Sequence, residues 1–171
     1  MKPLTLYILD VVRSLIMEGA KYISVMITES RLRDHLIITV AENPGLKGMG
    51  KGCMNLDFSL LKYEAEVTGG SFDCESDGDK PAKLTALFRL SHPDRQPLGD
   101  IAGLLTIMIA AHPEVNFNYT HSTDFGIYRF STQEIKKLHK VETLRTAELL
   151  NTVGYSINEN LTVIKIADTR I

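Results

Sequence analysis

Residues 36–62 read LIITVAENPGLKGMGKGCMNLDFSLLK, and the order of textures in this stretch decides the fold. Leu36–Ala41 is rich in β-branched residues and suits a strand. Glu42–Gly52 follows, carrying Gly45, Gly48, Gly50 and Gly52. The spacing from Met54 to Val67 then predicts a helix, stopped by Gly69-Gly70. Strand, glycine-rich loop and helix together gather backbone N–H groups where phosphate can be held.

Working outward, the pattern repeats. Residues 4–18 place Leu4, Ile8, Leu9, Val12, Leu15 and Ile16 on one helical face. Tyr22–Thr28 alternates and predicts a half-buried strand. Glu29–Asp34 reads as a polar turn, and His35–Ala41 completes a hairpin. Ser71–Ser76 and Lys83–Leu90 form a second hairpin around Asp77–Pro81. Each helix precedes a hairpin, which predicts a mixed sheet with helices on one face, an α+β two-layer sandwich. Residues 91–97 are a connector rich in breakers. Beyond it the sequence predicts an apolar helix over Leu98–Ala111, which should pack between the main sheet and a C-terminal strand pair. That pair is Val115–His121 and Phe125–Phe130. A helix over Ser131–His139 opens with a capping-box spacing, Ser131 and Glu134. A last helix, Thr143–Val153, should stop at Gly154, with Thr162–Ile166 as an edge strand or tail. Residues 1–90 thus form the core, and residues 91–171 a connector helix and extension packed on it.

Composition narrows the function. The 171-residue chain is 44% hydrophobic and 23% charged, which suits an ordinary globular protein with a full core. A formal net charge of −2 gives no electrostatic case for nucleic acid or anionic membrane. Asp10, Arg13 and Glu18 interrupt the first 20 residues, so they do not read as a signal peptide. No window reaches the roughly 18 apolar residues of a span. These readings predict a cytoplasmic protein. Two cysteines, Cys53 and Cys74, then read as free thiols. The five histidines are scattered, none at zinc-site spacing, so no metal of that kind is expected.

Gly45-Leu46-Lys47-Gly48-Met49-Gly50-Lys51 matches the GxxxxGK phosphate-loop pattern. However, Gly52 stands where Ser or Thr should hold Mg²⁺, and no apolar strand ending in Asp offers the partner site. A shortened flexible loop is the plainer reading, with Lys47 and Lys51 still able to meet a simple anion.

Several landmarks resemble the GHKL superfamily, the histidine-kinase-like ATP-binding domains. They look most like the small stand-alone members from anaerobic bacteria. The matching pieces are Ile8-Leu9-Asp10 with Gly19-Ala20, Glu42-Asn43, Leu60-Leu61-Lys62, Ala65-Glu66 and Gly69-Gly70-Ser71-Phe72. The most specific is the connector, Ser91-His92-Pro93-Asp94-Arg95-Gln96-Pro97-Leu98-Gly99-Asp100-Ile101-Ala102. The resemblance covers the first two-thirds of the chain well and the remainder by element order.

The resemblance implies a nucleotide site, and also that this one is degenerate. Asp10 matches the acid that orients the attacking water. Ser14 replaces the Asn that holds Mg²⁺, with a shorter reach onto a cation of strict geometry. Glu42 replaces the Asp that receives the adenine amino group, beside Asn43. Pro44 replaces a glycine, fixing φ and removing an N–H. Gly45, Gly48 and Lys51 remain in a shortened loop. Asn55 and Asp57 fall where the family has a second glycine-rich stretch, and Asp57 would bring negative charge to the helix end that receives phosphate. It would instead cap that helix itself.

The expected function is therefore non-catalytic: a regulatory or scaffolding pseudo-ATPase with no cofactor. Relatives beside iron-only hydrogenase genes imply a redox-complex protein partner. The alternatives are an active ATP/Mg²⁺-binding protein, kinase-like or anti-sigma-like, and a small-anion or nucleotide sensor. His92, Asp94, Arg95 and Asp100 read as a network fixing the connector, or as a ligand or partner site.

Overall fold

The computed structural model describes residues 2–42, 53, 58–76 and 81–165. Five helices and six strands follow one another within them: α1 (Leu4–Met17), β1 (Tyr22–Ser30), β2 (His35–Glu42), α2 (Ser59–Val67), β3 (Ser71–Glu75), β4 (Lys83–Arg89), α3 (Ile101–Ala111), β5 (Asn116–Thr123), β6 (Gly126–Ser131), α4 (Thr132–His139) and α5 (Ala147–Ile164). The strands make one mixed sheet, ordered β3-β4-β2-β1-β5-β6. All neighbours are antiparallel except β1 and β5. The C-terminal strand pair therefore continues the main sheet: β5 lies beside β1 with Val25 opposite Tyr119.

Alternation along each strand builds a single apolar face. Ile23, Val25 and Ile27 of β1 line up with Leu36, Ile38 and Val40 of β2. Leu84, Ala86 and Phe88 extend the face on one side, and Phe117 and Tyr119 on the other. Helices cover this face with Leu4, Ile8, Val11, Val12 and Leu15 from α1, Leu61 and Ala65 from α2, and Leu104, Leu105 and Met108 from α3. Truncating a fully buried side chain such as Phe88 to Ala should cost about 3–5 kcal/mol. The opposite face is more open, with Met26 43% exposed. This is the two-layer α+β sandwich that the alternation predicts.

The C-terminal third departs from expectation in three places. First, α3 starts at Ile101, and its buried face packs beside α1 and α5 on the sheet. It is not sandwiched between the sheet and a separate strand pair, because no separate pair exists. Residues 97–100 are withheld from the helix by other duties. The carbonyls of Pro97 and Leu98 accept the N–H groups of Leu4 and Thr5 at 2.8 and 2.9 Å, filling unsatisfied donors of α1's first turn. Gly99 has φ +96°, and Asp100 caps α3 by accepting the Gly103 N–H at 2.9 Å.

Second, Gly154 does not end a helix. α5 runs through it to Ile164, which also absorbs residues 162–164 of the expected tail. A Cβ on Gly154 would lie 3.2 Å from the Thr106 methyl, so the glycine marks the close approach of α5 to α3. Third, the capping box at Ser131 is not formed. Ser131 is the last paired residue of β6, opposite Asn118, and the sheet fixes its backbone. Its neighbour Thr132 takes up the polar role, its hydroxyl accepting the Phe117 N–H at 2.9 Å.

The cysteines are not free. Cys53 and Cys74 form a disulfide across 21 positions, with Cα atoms 6.1 Å apart. It ties Cys53 to β3, where the Cys53 N–H also donates to Ser76 Oγ at 3.0 Å. Thiols are the average for a reducing compartment, but the fold brings these two sulfurs within bonding reach.

Candidate functional site

Two polar regions sit at opposite ends of the sheet, separated by the 8-residue length of β2, roughly 25 Å. The first is the end predicted from the sequence. Asn43, Pro44, Gly45, Lys47, Gly48, Lys51, Asn55 and Asp57 lie outside the described residues. Asp10, Ser14 and Glu42 lie within them.

Asp10 is exposed on α1, and its carboxylate has no partner among the described residues. Ser14 is one turn on. Its hydroxyl donates to the Asp10 backbone carbonyl at 3.0 Å, the local bond that a mid-helix serine makes by turning back on its own helix. Glu42 ends β2 and is only 3% exposed. Its carboxyl Oε1 accepts the Ala82 N–H at 3.0 Å, while its own N–H donates to the Ala82 carbonyl at 3.1 Å. The β2–β4 ladder thus closes through a side chain at this point. These residues fit a bound nucleotide and Mg²⁺ poorly: the Ser14 hydroxyl, which the resemblance would set at a metal, is turned onto its own helix, and the Glu42 carboxyl, which it would set at an adenine, is spent on backbone. No catalytic step is assigned to them.

The second region lies where β1 and β5 finish and β2 begins. The buried face of β1 continues past Ile27 to Glu29, and that of β5 past Tyr119 to His121. At this rim the apolar core gives way to a relay. Tyr119, 1% exposed, lies 2.6 Å from His121 Nδ1, and His121 Nε2 lies 2.8 Å from Glu29 Oε2. Burial pushes the Tyr119 phenol well above its ordinary range, reinforced by the nearby Glu29 charge, so the O–H stays on beside Nδ1. A carboxylate oxygen only accepts, so His121 Nε2–H is the donor to Glu29. Glu29 Oε1 has no donor among the described residues.

A cavity of about 590 Å³ opens over this relay. Leu90, Pro97, Leu98, Ile101 and Leu161 give it apolar walls, and Arg31, Asp34, Arg95, Asp100 and Lys165 bring charge to the lining. Its size falls within the usual range for small-molecule sites.

The connector cluster divides in two. Arg95 is buried and donates Nε to the Leu90 carbonyl at 2.9 Å and Nη1 to the Gln96 carbonyl at 3.0 Å, which pins the connector. The Asp94 N–H donates to His92 Nδ1 at 3.2 Å, a local exposed contact. Arg95 and Asp100 also reach the cavity wall; His92 and Asp94 are not among its lining residues. Sequence reading missed Glu29, which looks like a turn residue, and His121, which looks isolated. The signal available was alternation: Glu29 continues the Ile23, Val25, Ile27 register, so a carboxylate on a core-facing position was legible.

No protein-family model matches the sequence, and no curated protein matches it. Among solved structures the chain is similar to one described as the crystal structure of the N-terminal domain of a DNA repair protein, with 13% identity and a TM-score of 0.43. The likeness spans 77% of this chain and 52% of that one, about half its length, and at this score carries no argument.

Proposed function

We propose that this chain is a degenerate histidine-kinase-like ATPase domain acting as a regulatory or scaffolding protein without ATP turnover. The observation that carries this reading is the commitment of Glu42. A carboxyl that should receive an adenine amino group instead accepts a backbone N–H from Ala82 and is shut away from solvent. Freeing it would strand that donor, at a cost of about 1–3 kcal/mol. The inward turn of the Ser14 hydroxyl supports the same reading at the metal position. The element order, helix then hairpin before and after the loop, agrees with the resemblance that the landmark residues carry.

The partner proposed is a protein, of the redox-complex kind that the resemblance implies, and the setting is the bacterial cytoplasm. Among the described residues, no helix is long and apolar enough to cross a membrane. In a reducing compartment the Cys53–Cys74 pair would stand in exchange with cellular thiols, so its oxidised form would be a redox-dependent tie between Cys53 and β3. One observation favours the rival, an active ATP-binding protein: Asp10 keeps an exposed carboxylate without a partner among the described residues. Calorimetry with ATP, with and without Mg²⁺, separates the readings when paired with a phosphate-release assay. Binding with turnover supports the enzyme, binding alone the sensor, and neither the scaffold.

A further inference from the structure

We infer that the cavity at the β1–β5 end is a binding site for a small organic acid that also carries a hydroxyl or amine donor. The site is distinct from the vestigial nucleotide end, and the argument for it does not use the nucleotide reading.

The charges around the cavity are unequally engaged. Its three acids all have internal partners. Glu29 takes the His121 Nε2–H. Asp34 receives the Ser91 N–H and hydroxyl, each at 2.8 Å, and Arg89 Nε at 3.0 Å. Asp100 caps α3. Of the cations, Arg95 is bonded to carbonyls, whereas the Arg31 and Lys165 side chains have no acceptor among the described residues. Three engaged carboxylates and two open cations favour an incoming anion.

The fold puts those two cations on one rim. The Arg31 N–H donates to Asp124 Oδ2 at 2.7 Å. Thr123, the residue before Asp124, donates its hydroxyl to the Ile164 carbonyl at 2.5 Å, which holds the end of α5 and so Lys165 against the same turn. The backbone at Arg31 and the backbone just before Lys165 are therefore anchored to consecutive residues of the β5–β6 hairpin, and both side chains line the cavity. An anionic group between them would meet both, and each such charge-assisted bond is stronger than a neutral one.

The relay supplies the second recognition element. Glu29 is held from behind by His121, which is held by Tyr119, so its carboxylate is oriented before any ligand arrives. The open Oε1 is an acceptor that a hydroxyl or amine can meet. The apolar walls accept the body of the molecule. A neutral apolar compound would leave both cations unmet, and a bare inorganic anion would leave the walls and Glu29 unused.

The test is a panel of 2- and 3-hydroxy and amino acids with aliphatic or aromatic bodies. Each is screened beside its neutral amide and its analogue lacking the donor, for example phenyllactate beside phenyllactamide and phenylpropionate. Saturation-transfer NMR finds binders, and ¹H–¹⁵N shifts on the full chain locate them. The expected result is that acids with a donor bind better than both controls, with shifts at Glu29, Arg31, His121 and Lys165. The double variant Arg31→Ala/Lys165→Ala changes two exposed side chains and should keep the unfolding midpoint. It should weaken every acid that binds by about tenfold or more, and leave the amides unchanged. If no panel member binds, if amides bind as well as acids, or if the shifts lie away from these residues, the inference is overturned. ATP binding near Glu42 would sink the pseudo-ATPase reading and leave this site standing.

Discussion

Glu42→Ala tests whether the carboxyl at the end of β2 is a structural tie. The side chain accepts the Ala82 N–H at 3.0 Å, and both residues are at most 3% exposed. Truncation removes a bond to a carboxyl group, worth about 1.5–3 kcal/mol when the acceptor is charged, and leaves a buried N–H without an acceptor. Removing a buried carboxyl relieves part of its desolvation, which offsets some of that loss. The net expectation is destabilisation by about 1.5–2.5 kcal/mol. For a chain of this length each kcal/mol moves the thermal midpoint by about 2–4 °C, so the drop should be about 3–10 °C. Glu42→Gln keeps an oxygen acceptor at nearly the same reach and should lose less than half as much. Urea and thermal unfolding followed by circular dichroism read both variants beside the wild type. If Glu42→Ala is as stable as wild type, or more stable, the carboxyl is not a tie and the reasoning fails.

Three further outcomes follow from particular contacts. A Cβ on Gly70 would lie 1.7 Å from the Leu87 carbonyl oxygen, so Gly70→Ala should cost about 1–3 kcal/mol or more, whereas Gly154→Ala should stay within about 1 kcal/mol of wild type as helix propensity offsets the 3.2 Å approach to Thr106; denaturant midpoints that reverse this order would contradict the packing. The Cys53–Cys74 bond closes a 21-position loop, so dithiothreitol or the double Cys→Ser variant should lower stability by about 3 kcal/mol on a chain-entropy argument, and two titratable thiols in air-oxidised protein would refute the bond. Acid stability should depend on Asp124 and Asp34: the Ser30 hydroxyl holds the Asp124 carboxyl below its ordinary range, and Ser91 and then Arg89 do the same for Asp34. A carboxyl lowered on folding stabilises above its unfolded value near about pH 4 and loses that contribution as pH falls through the folded value. Asp124→Asn should therefore lower stability at pH 7 and converge with wild type in strong acid, and parallel acid-unfolding curves would be the contrary result.

The sheet was legible because its alternation is strict: Ile23, Val25, Ile27 and Leu84, Ala86, Phe88 each specify one face, and one-residue slips would expose them. The start of α3 was not, because Leu98 and Gly99 look helical until the first turn of α1 claims the neighbouring carbonyls. Gly154 reads as a stop in one dimension and as a crossing point in three, since only the packed α3 gives it a neighbour. The pairing at the second polar region was not legible for a similar reason, although Glu29 on a core-facing position was. Glu29 and His121 are 92 positions apart and meet only through the parallel pairing of β1 and β5, which local periodicity does not specify. At the end of the sheet where the resemblance places a nucleotide site, the structure adds where two polar groups went: Ser14 to its own helix, Glu42 to Ala82.

The central claim concerns ATP, and titration calorimetry of the full chain with ATP plus Mg²⁺ addresses it most directly, run on both the oxidised and the dithiothreitol-reduced protein. The account predicts no saturable heat in either form, because Glu42 is held by Ala82 and Ser14 by its own helix, bonds in which neither cysteine takes part. A saturating Mg²⁺-dependent isotherm that disappears in Asp10→Asn would contradict it and hand the chain to the active-enzyme reading.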